Sequence, residues 1–134
     1  MNINVDDLKL KSDEEFQKFL EENPGRGFLK VRATSANDAV PVEGVNVIVS
    51  KKIGDNNVIF FSGQTDESGM INGIVLPTPK KVLSDEDIPK FTKYELEAIH
   101  KDLNFDSKYE ISLCCSVSVI QYINITPDIN LEVK

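Results

Sequence analysis

Residues 27–79 narrow what this chain can fold into more than any other stretch. Short runs of alternating apolar and polar residues follow one another there, separated by turn-forming residues at close, even spacing. Leu29, Val31 and Ala33 alternate with Phe28, Lys30 and Arg32, the period of a half-buried strand. A Pro-Val-Glu-Gly turn at 41–44 precedes Val45, Val47 and Val49, which repeat the pattern. Residues 54–57 read Gly-Asp-Asn-Asn, tolerate positive φ, and predict a hairpin with residues 58–64 returning. In Asp66-Glu67-Ser68-Gly69 the Asp66 carboxylate can accept a backbone N–H and Gly69 can take positive φ, so a second turn is expected. Residues 70–76 form the next strand, stopped by Pro77 and Pro79. Strands this short and this closely joined bury their apolar faces by packing as two sheets, so the pattern predicts a mainly β sandwich.

The flanks break the alternation. In residues 1–26, Ser12 and Glu15 have the spacing of a capping box, and Phe16, Phe19 and Leu20 recur on one helical face. Pro24 disfavours the helical conformation in its predecessor, so this lead-in helix should end near Asn23. In residues 80–107, Thr92 and Glu95 form a second capping box, and Tyr94, Leu96, Ile99 and Leu103 make a rough apolar stripe. The spacing predicts a helix over 93–103, with a turn at 84–87 before it. Alternation then resumes, with Tyr109, Ile111, Leu113 and Cys115 sharing a face. A strand over 119–126, a turn at Pro127-Asp128 and a last strand carrying Leu131 and Val133 complete the expected seven. The domain reading is a lead-in over 1–26 and a sandwich over 27–134, with a helical insertion at about 80–107.

The formal net charge of −7 is repelled by nucleic-acid phosphates and anionic lipid, so neither nucleic acid nor a membrane is an expected partner. No run of apolar residues has the length of a membrane span, nor does the N-terminal stretch resemble a secretory signal, so a cytoplasmic location is expected, with spore or surface association as a variant. Cys114 and Cys115 are neighbours; on a strand they point to opposite faces, so one buried and one outward thiol, both reduced, is the expectation. His100 is the sole histidine and has no second ligand at helical spacing, so a surface or partly packed ring is expected and no metal site. Turn chemistry accounts for Asp55, Asn56, Asn57, Asp66 and Glu67 without calcium. No cofactor is expected.

Gly27-Phe28-Leu29-Lys30-Val31, Pro41-Val42-x-Gly44-Val45-x-Val47, Thr65-Asp66-Glu67-Ser68-Gly69, Leu76-Pro77 and Tyr109-x-Ile111 together resemble the carboxypeptidase regulatory-like domains. Those belong to the transthyretin-like sandwiches and lie close to collagen-adhesin B-type repeats. The resemblance covers roughly residues 27–79 and 108–133, and the start and the Leu-Pro-Thr-Pro ending also resemble the N-terminal domain of spore cortex-lytic proteins. It implies a seven-stranded Greek-key transthyretin-like sandwich that positions something else and catalyses nothing. The chain departs from the family at Cys115-Ser116-Val117-Ser118, where a Gly-Tyr pair is usual, and in the length of the 80–107 segment. Hydroxyisourate hydrolases share the fold class, but their several histidines and Tyr-Arg-Gly-Ser ending are missing here. The adhesin repeats' isopeptide crosslink is not expected either, because Lys30 falls on the face opposite Leu29 and Val31.

Two functions follow as expectations. The first is a non-catalytic structural or protein–protein interaction module of a bacterial spore, envelope or phage assembly. Its unidentified protein partner would be met by Phe16, Phe19 and Leu20 on the lead-in and by Tyr94, Leu96 and Ile99 on the insertion, and homo-oligomers would form through open sheet edges. The alternative is a small-ligand or carbohydrate-binding module, with Tyr94, Phe91, Phe105 and Tyr122 as its aromatics.

Overall fold

The computed structural model describes residues 5–35, 39–81 and 90–126. One helix, α1 (Val5–Glu22), precedes eight strands: β1 (Gly25–Ser35), β2 (Val40–Pro41), β3 (Asn46–Ile53), β4 (Asn56–Gln64), β5 (Met70–Thr78), β6 (Thr92–His100), β7 (Phe105–Leu113) and β8 (Ser118–Asn124). The first sheet is built on β1, which pairs antiparallel with β5 and parallel with β8. Ala33 donates its N–H to Gly69 and accepts from Val42 through its carbonyl, so the short β2 continues the edge that β5 occupies. The second sheet runs β4-β3-β6-β7, antiparallel throughout.

The alternation of 27–79 is the burial pattern. Leu29, Val31 and Ala33 of β1 are buried, facing across the core the buried Val45, Val47 and Val49 around β3 and Leu96, Ala98, Ile111 and Leu113 of β6 and β7 in the second sheet. Two bulges adjust it. In β5, Leu29 pairs with Ile74 and Val31 with Ile71, which leaves Asn72 and Gly73 opposite Lys30. Gly73 takes φ 78°, so Ile71 and Ile74 both reach the core although three residues apart. In β4, Val49 pairs with Phe61 and Ser50 with Ile59, so Phe60 is the extra residue. Phe60 and Phe61 both pack on the core as a result.

Both predicted turns are present. Gly54 and Asp55 close the β3–β4 hairpin. Asp66 Oδ1 accepts from the N–H groups of Ser68 (2.9 Å) and Met70 (3.0 Å), and Gly69 sits at φ 72°. Thr65 binds that turn to the one at 41–44: its buried hydroxyl donates to the Val42 carbonyl at 2.8 Å and accepts from the Val45 N–H at 3.0 Å.

The flanks differ from expectation. The lead-in helix ends at Glu22, as Pro24 requires, but begins at Val5 and runs through Ser12. The helix therefore extends past the capping-box position, with Ser12 inside it and not at its N-cap. Glu15, the other half of that box, instead lies over the hairpin turn, where a Cβ on Gly54 would collide with its carboxylate.

The helix predicted over 93–103 is a strand. Thr92, Tyr94, Leu96 and Ala98 face the core and Lys93 and Glu95 face out, with Glu97 half-exposed beside them; tertiary pairing with β3 and β7 overrides the helical propensity of Lys, Glu, Leu and Ala. The two supposed capping residues have other partners. Thr92 Oγ1 donates to Asn23 Oδ1 at 2.5 Å, while Asn23 Nδ2 donates to the Phe19 carbonyl at 2.8 Å, which fastens the end of α1 to the start of β6. Glu95 pairs with Lys108 at 3.6 Å. The expected count of seven strands becomes eight, through β2 and β6, although the final strand and the turns at 84–87 and 127–128 lie outside the described residues.

Tyr94 is 1% exposed, and its hydroxyl crosses between the sheets to donate to the Pro77 carbonyl of β5 at 2.5 Å. Burial pushes this phenol well above its ordinary value of 10.0, because the ionised form would be desolvated. The fold therefore favours the neutral phenol, and that stabilisation is present below about pH 10 and lost above it. We expect Tyr94→Phe to cost about 1–2 kcal/mol at pH 7 by leaving a buried carbonyl without its donor. In urea titrations the gap to wild type should close by about 1.4 kcal/mol per pH unit above pH 10; a gap independent of pH would show that the phenol ionises freely.

Candidate functional site

The six residues expected to meet a partner are part of the sandwich. Phe19, Tyr94 and Leu96 are buried in the core, Phe16 and Leu20 pack against it, and Ile99 is half-buried on β6 opposite Asn46. Phe16 and Phe19 reach Phe60 with ring centroids 6.1 and 5.6 Å apart, and Phe60 meets Tyr94 edge-on at 5.3 Å. The amphipathic face of α1 thus covers an open side of the sandwich. Of the expected ligand-stacking aromatics, Tyr94 is buried and Phe105 half-buried, whereas Phe91, just before β6, and Tyr122, on β8 of the other sheet, are exposed.

The concave surface lies where β3 and β6 part. Their pairing ends at Ser50–Glu95, though both strands continue. The Lys93 carbonyl beyond that point has no strand partner on the β3 side, and Lys51 Nζ takes it at 2.9 Å. The same ammonium lies 5.9 Å from the centroid of the Tyr94 ring, a cation–π position. Around this floor opens a cleft of about 430 Å³. Lys52 and Asn57 form one wall, and Lys93, Lys108, Tyr109 and Glu110 the other. Lys93 pairs with Glu110 at 3.2 Å and Lys108 with Glu95 at 3.6 Å, all four side chains largely exposed. Neither Lys51 nor Lys52 has a carboxylate partner among the described residues. Four lysines against two glutamates gather here, in a chain that is acidic overall. Sequence reading missed the cleft because its lysines are scattered over β3, β6 and β7; the one legible signal was the adjacent pair Lys51-Lys52.

A second surface is flat. On the outer face of the first sheet, register places Phe28 between Val75 and Ser118, Lys30 beside Ile120, and Arg32 between Met70 and Tyr122. Phe28, Val75, Ile120 and Tyr122 are each 40–55% exposed.

His100 bridges two loops. Its Nδ1 accepts from the Leu103 N–H at 3.3 Å, which leaves Nε2 to donate to the Glu43 carbonyl at 3.2 Å. Cys114 and Cys115 depart from expectation, for β7 ends at Leu113 and both thiols are half-exposed in the turn beyond it. No group of three or more metal-ligating side chains occurs among the described residues, and no described helix is long and apolar enough to cross a membrane.

No protein-family model matches the sequence, and no curated protein matches it. Solved structures do share the fold. Transthyretin from Sparus aurata superposes with a TM-score of 0.51 at 16% identity, over 74% of this chain and 88% of that one. Klebsiella pneumoniae 5-hydroxyisourate hydrolase gives 0.50 at 17% identity, over 75% and 90%. A sea bream transthyretin in complex with thyroxine gives 0.48 at 18%, over 74% and 86%. The chain has the transthyretin-like fold, a two-sheet sandwich with one helix. A likeness to transthyretin and to a hydrolase overturns the expectation of a structural or protein–protein interaction module. The physical reason is the one above: the helix and the described part of the 80–107 segment, expected to be attachments free to dock, are elements of the sandwich itself.

The cleft should be separable from the fold's stability. Lys108→Ala removes only an exposed ion pair and should cost under about 1 kcal/mol. Lys51→Met removes a charged donor to an otherwise unpaired carbonyl and should cost about 1–2 kcal/mol. Urea denaturation distinguishes the two, and equal losses would mean that the Lys51 bond to Lys93 does not form in solution.

Proposed function

We propose that this protein is a small-ligand-binding module whose ligand is a compact organic anion held in the lysine cleft at the parting of β3 and β6. The observation that carries this reading is the convergence of Lys51, Lys52, Lys93 and Lys108 on one concavity of about 430 Å³ in a chain of net charge −7. A volume of that order suits a small molecule. Lys51 and Lys52, without a carboxylate partner among the described residues, are the cations ready to meet charge, while Tyr109 and the stems of the lysines offer an apolar side. The strand backbones fix the positions from which the lysines reach in, so part of the ordering cost is met before a ligand arrives. The module binds and does not catalyse in this reading. The closer resemblance to carboxypeptidase regulatory-like domains belongs with it, supported by the Asp66 turn and the Thr65 cross-link.

The test is a two-dimensional amide NMR titration at constant ionic strength with citrate, inorganic phosphate and glucose. Citrate should give saturable shifts centred on residues 51, 52, 93 and 108, and glucose none. Lys51→Ala/Lys52→Ala should weaken the citrate response at least about tenfold, the loss expected for one charge-assisted contact. Shifts spread evenly over all surface lysines, or a double variant that binds like wild type, would sink the proposal.

The outer face of the first sheet supports a second reading, because Phe28 and Tyr122 are exposed beside Lys30 and Arg32. A planar aromatic anion suits that flat surface better than a compact one. Benzoate in the same titration should then move residues 28, 30, 32 and 122 and be indifferent to the Lys51/Lys52 double variant; shifts confined to 51, 52, 93 and 108 would exclude this face.

A further inference from the structure

The turn after β7 holds an arrangement that neither cleft nor sheet face uses. Ser116 adopts φ 62° and donates its N–H to the Arg26 carbonyl at 2.8 Å, and Val117 donates to the Cys114 carbonyl at 3.3 Å. The turn is thereby fixed against the start of β1, and Ser116 Oγ comes to 3.7 Å from Cys115 Sγ. On the other side stands Thr78, fully buried at the end of β5. Its Oγ1 is the one buried side-chain polar atom without a hydrogen-bond partner among the described residues. Thr78 Oγ1 and Cys115 Sγ converge on one point: a Cβ built on Gly25 would lie 2.9 Å from the first and 2.8 Å from the second. An unpartnered buried donor is destabilising and calls for an explanation. Here it stands beside a half-exposed sulfur that is itself a poor acceptor.

We propose that Cys115 is a hydroperoxide-oxidisable thiol, and that the oxygen it gains is received by the hydroxyls of Ser116 and Thr78. The thiolate sulfur attacks one oxygen of the hydroperoxide. An S–O bond forms and the O–O bond breaks; sulfur loses two electrons, and the second oxygen leaves as hydroxide or alkoxide and takes a proton from water. The resulting sulfenic oxygen is the strong acceptor that Thr78 Oγ1 lacks in the reduced protein. The electrostatics favour the starting thiolate too. The Ser116 hydroxyl first, then the Arg26 main chain, hold the Cys115 thiol below its ordinary value; desolvation opposes them, and Thr78 and the Lys81 main chain add smaller pulls downward. Cys114, one residue away and also half-exposed, is the internal control.

The experiment treats the full chain with equimolar hydrogen peroxide in the presence of dimedone and maps the adduct by peptide mass spectrometry. Labelling should fall on Cys115 several-fold more than on Cys114, and should persist at Cys115 in Cys114→Ser. Thr78→Val, which removes a buried unpaired hydroxyl and keeps the shape, should lower the Cys115 adduct several-fold while altering iodoacetamide alkylation of Cys115 much less. That split separates reception of the oxygen from simple access. Ser116→Gly, compatible with positive φ, serves the same purpose if the Thr78 variant melts early. Equal labelling of the two cysteines, or Cys115 adduct yields unchanged in both hydroxyl variants, overturns the proposal.

Discussion

Tyr94 is the side chain on which the most elements converge. Its ring is buried between the sheets and stands nearly perpendicular to that of Phe60, and its hydroxyl reaches across to the Pro77 carbonyl of β5. Through Phe60 it positions Phe16 and Phe19, and so the helix that closes the sandwich. From above it carries the Lys51 ammonium. A phenol fits because this position needs a large apolar body with one donor at its tip. Phenylalanine would leave a carbonyl unsatisfied, and a longer polar side chain would leave a void against Phe60.

The cleft depends on the same residue in a less direct way. β3 and β6 separate beyond Ser50 and Glu95, and with pairing lost there the backbone would present an orphan carbonyl. Lys51 satisfies that carbonyl and is held over the Tyr94 ring while doing so. The gathering of cations that defines the candidate site thus begins as a repair of backbone hydrogen bonding at the end of a strand pair. Lys93 and Lys108 then arrive by register: Glu95 stands opposite Glu110, and each lysine pairs diagonally with one of these two glutamates.

What could be read from the sequence was what depends on local chemistry. The Asp66 turn, the Gly54–Asp55 hairpin and the inward faces of β1 and β3 follow from alternation and from residues that tolerate particular φ values, and each stands where expected. The error in 93–103 has an identifiable cause. Tyr94, Leu96 and Ile99 fit a helical stripe loosely, but Lys93, Glu95 and Glu97 at every second position fit a strand strictly, and the Thr92/Glu95 spacing was allowed to outweigh them. A helix appended at 93–103 would need a partner for its apolar residues; in the strand β6 those residues are covered by the rest of the chain. The cleft was out of reach for a different reason: its cations lie on three strands whose adjacency is fixed only by pairing register. Thr78 was equally illegible, since an unsatisfied hydroxyl is a property of surroundings and not of composition.

The parallel pairing of β1 with β8 ties the first regular strand of the sandwich to the last described one. Every other strand pair here joins segments nearer in sequence. The second sheet, with its hairpins, can assemble early, but β1 keeps a bare edge until almost the entire chain is available. During synthesis that edge is a template for any extended segment, and Arg26, Lys30 and Arg32 along the outer face of β1 set like charges against one another when two nascent copies meet through it. The cations that decorate this strand in the finished fold thus also guard it while it waits.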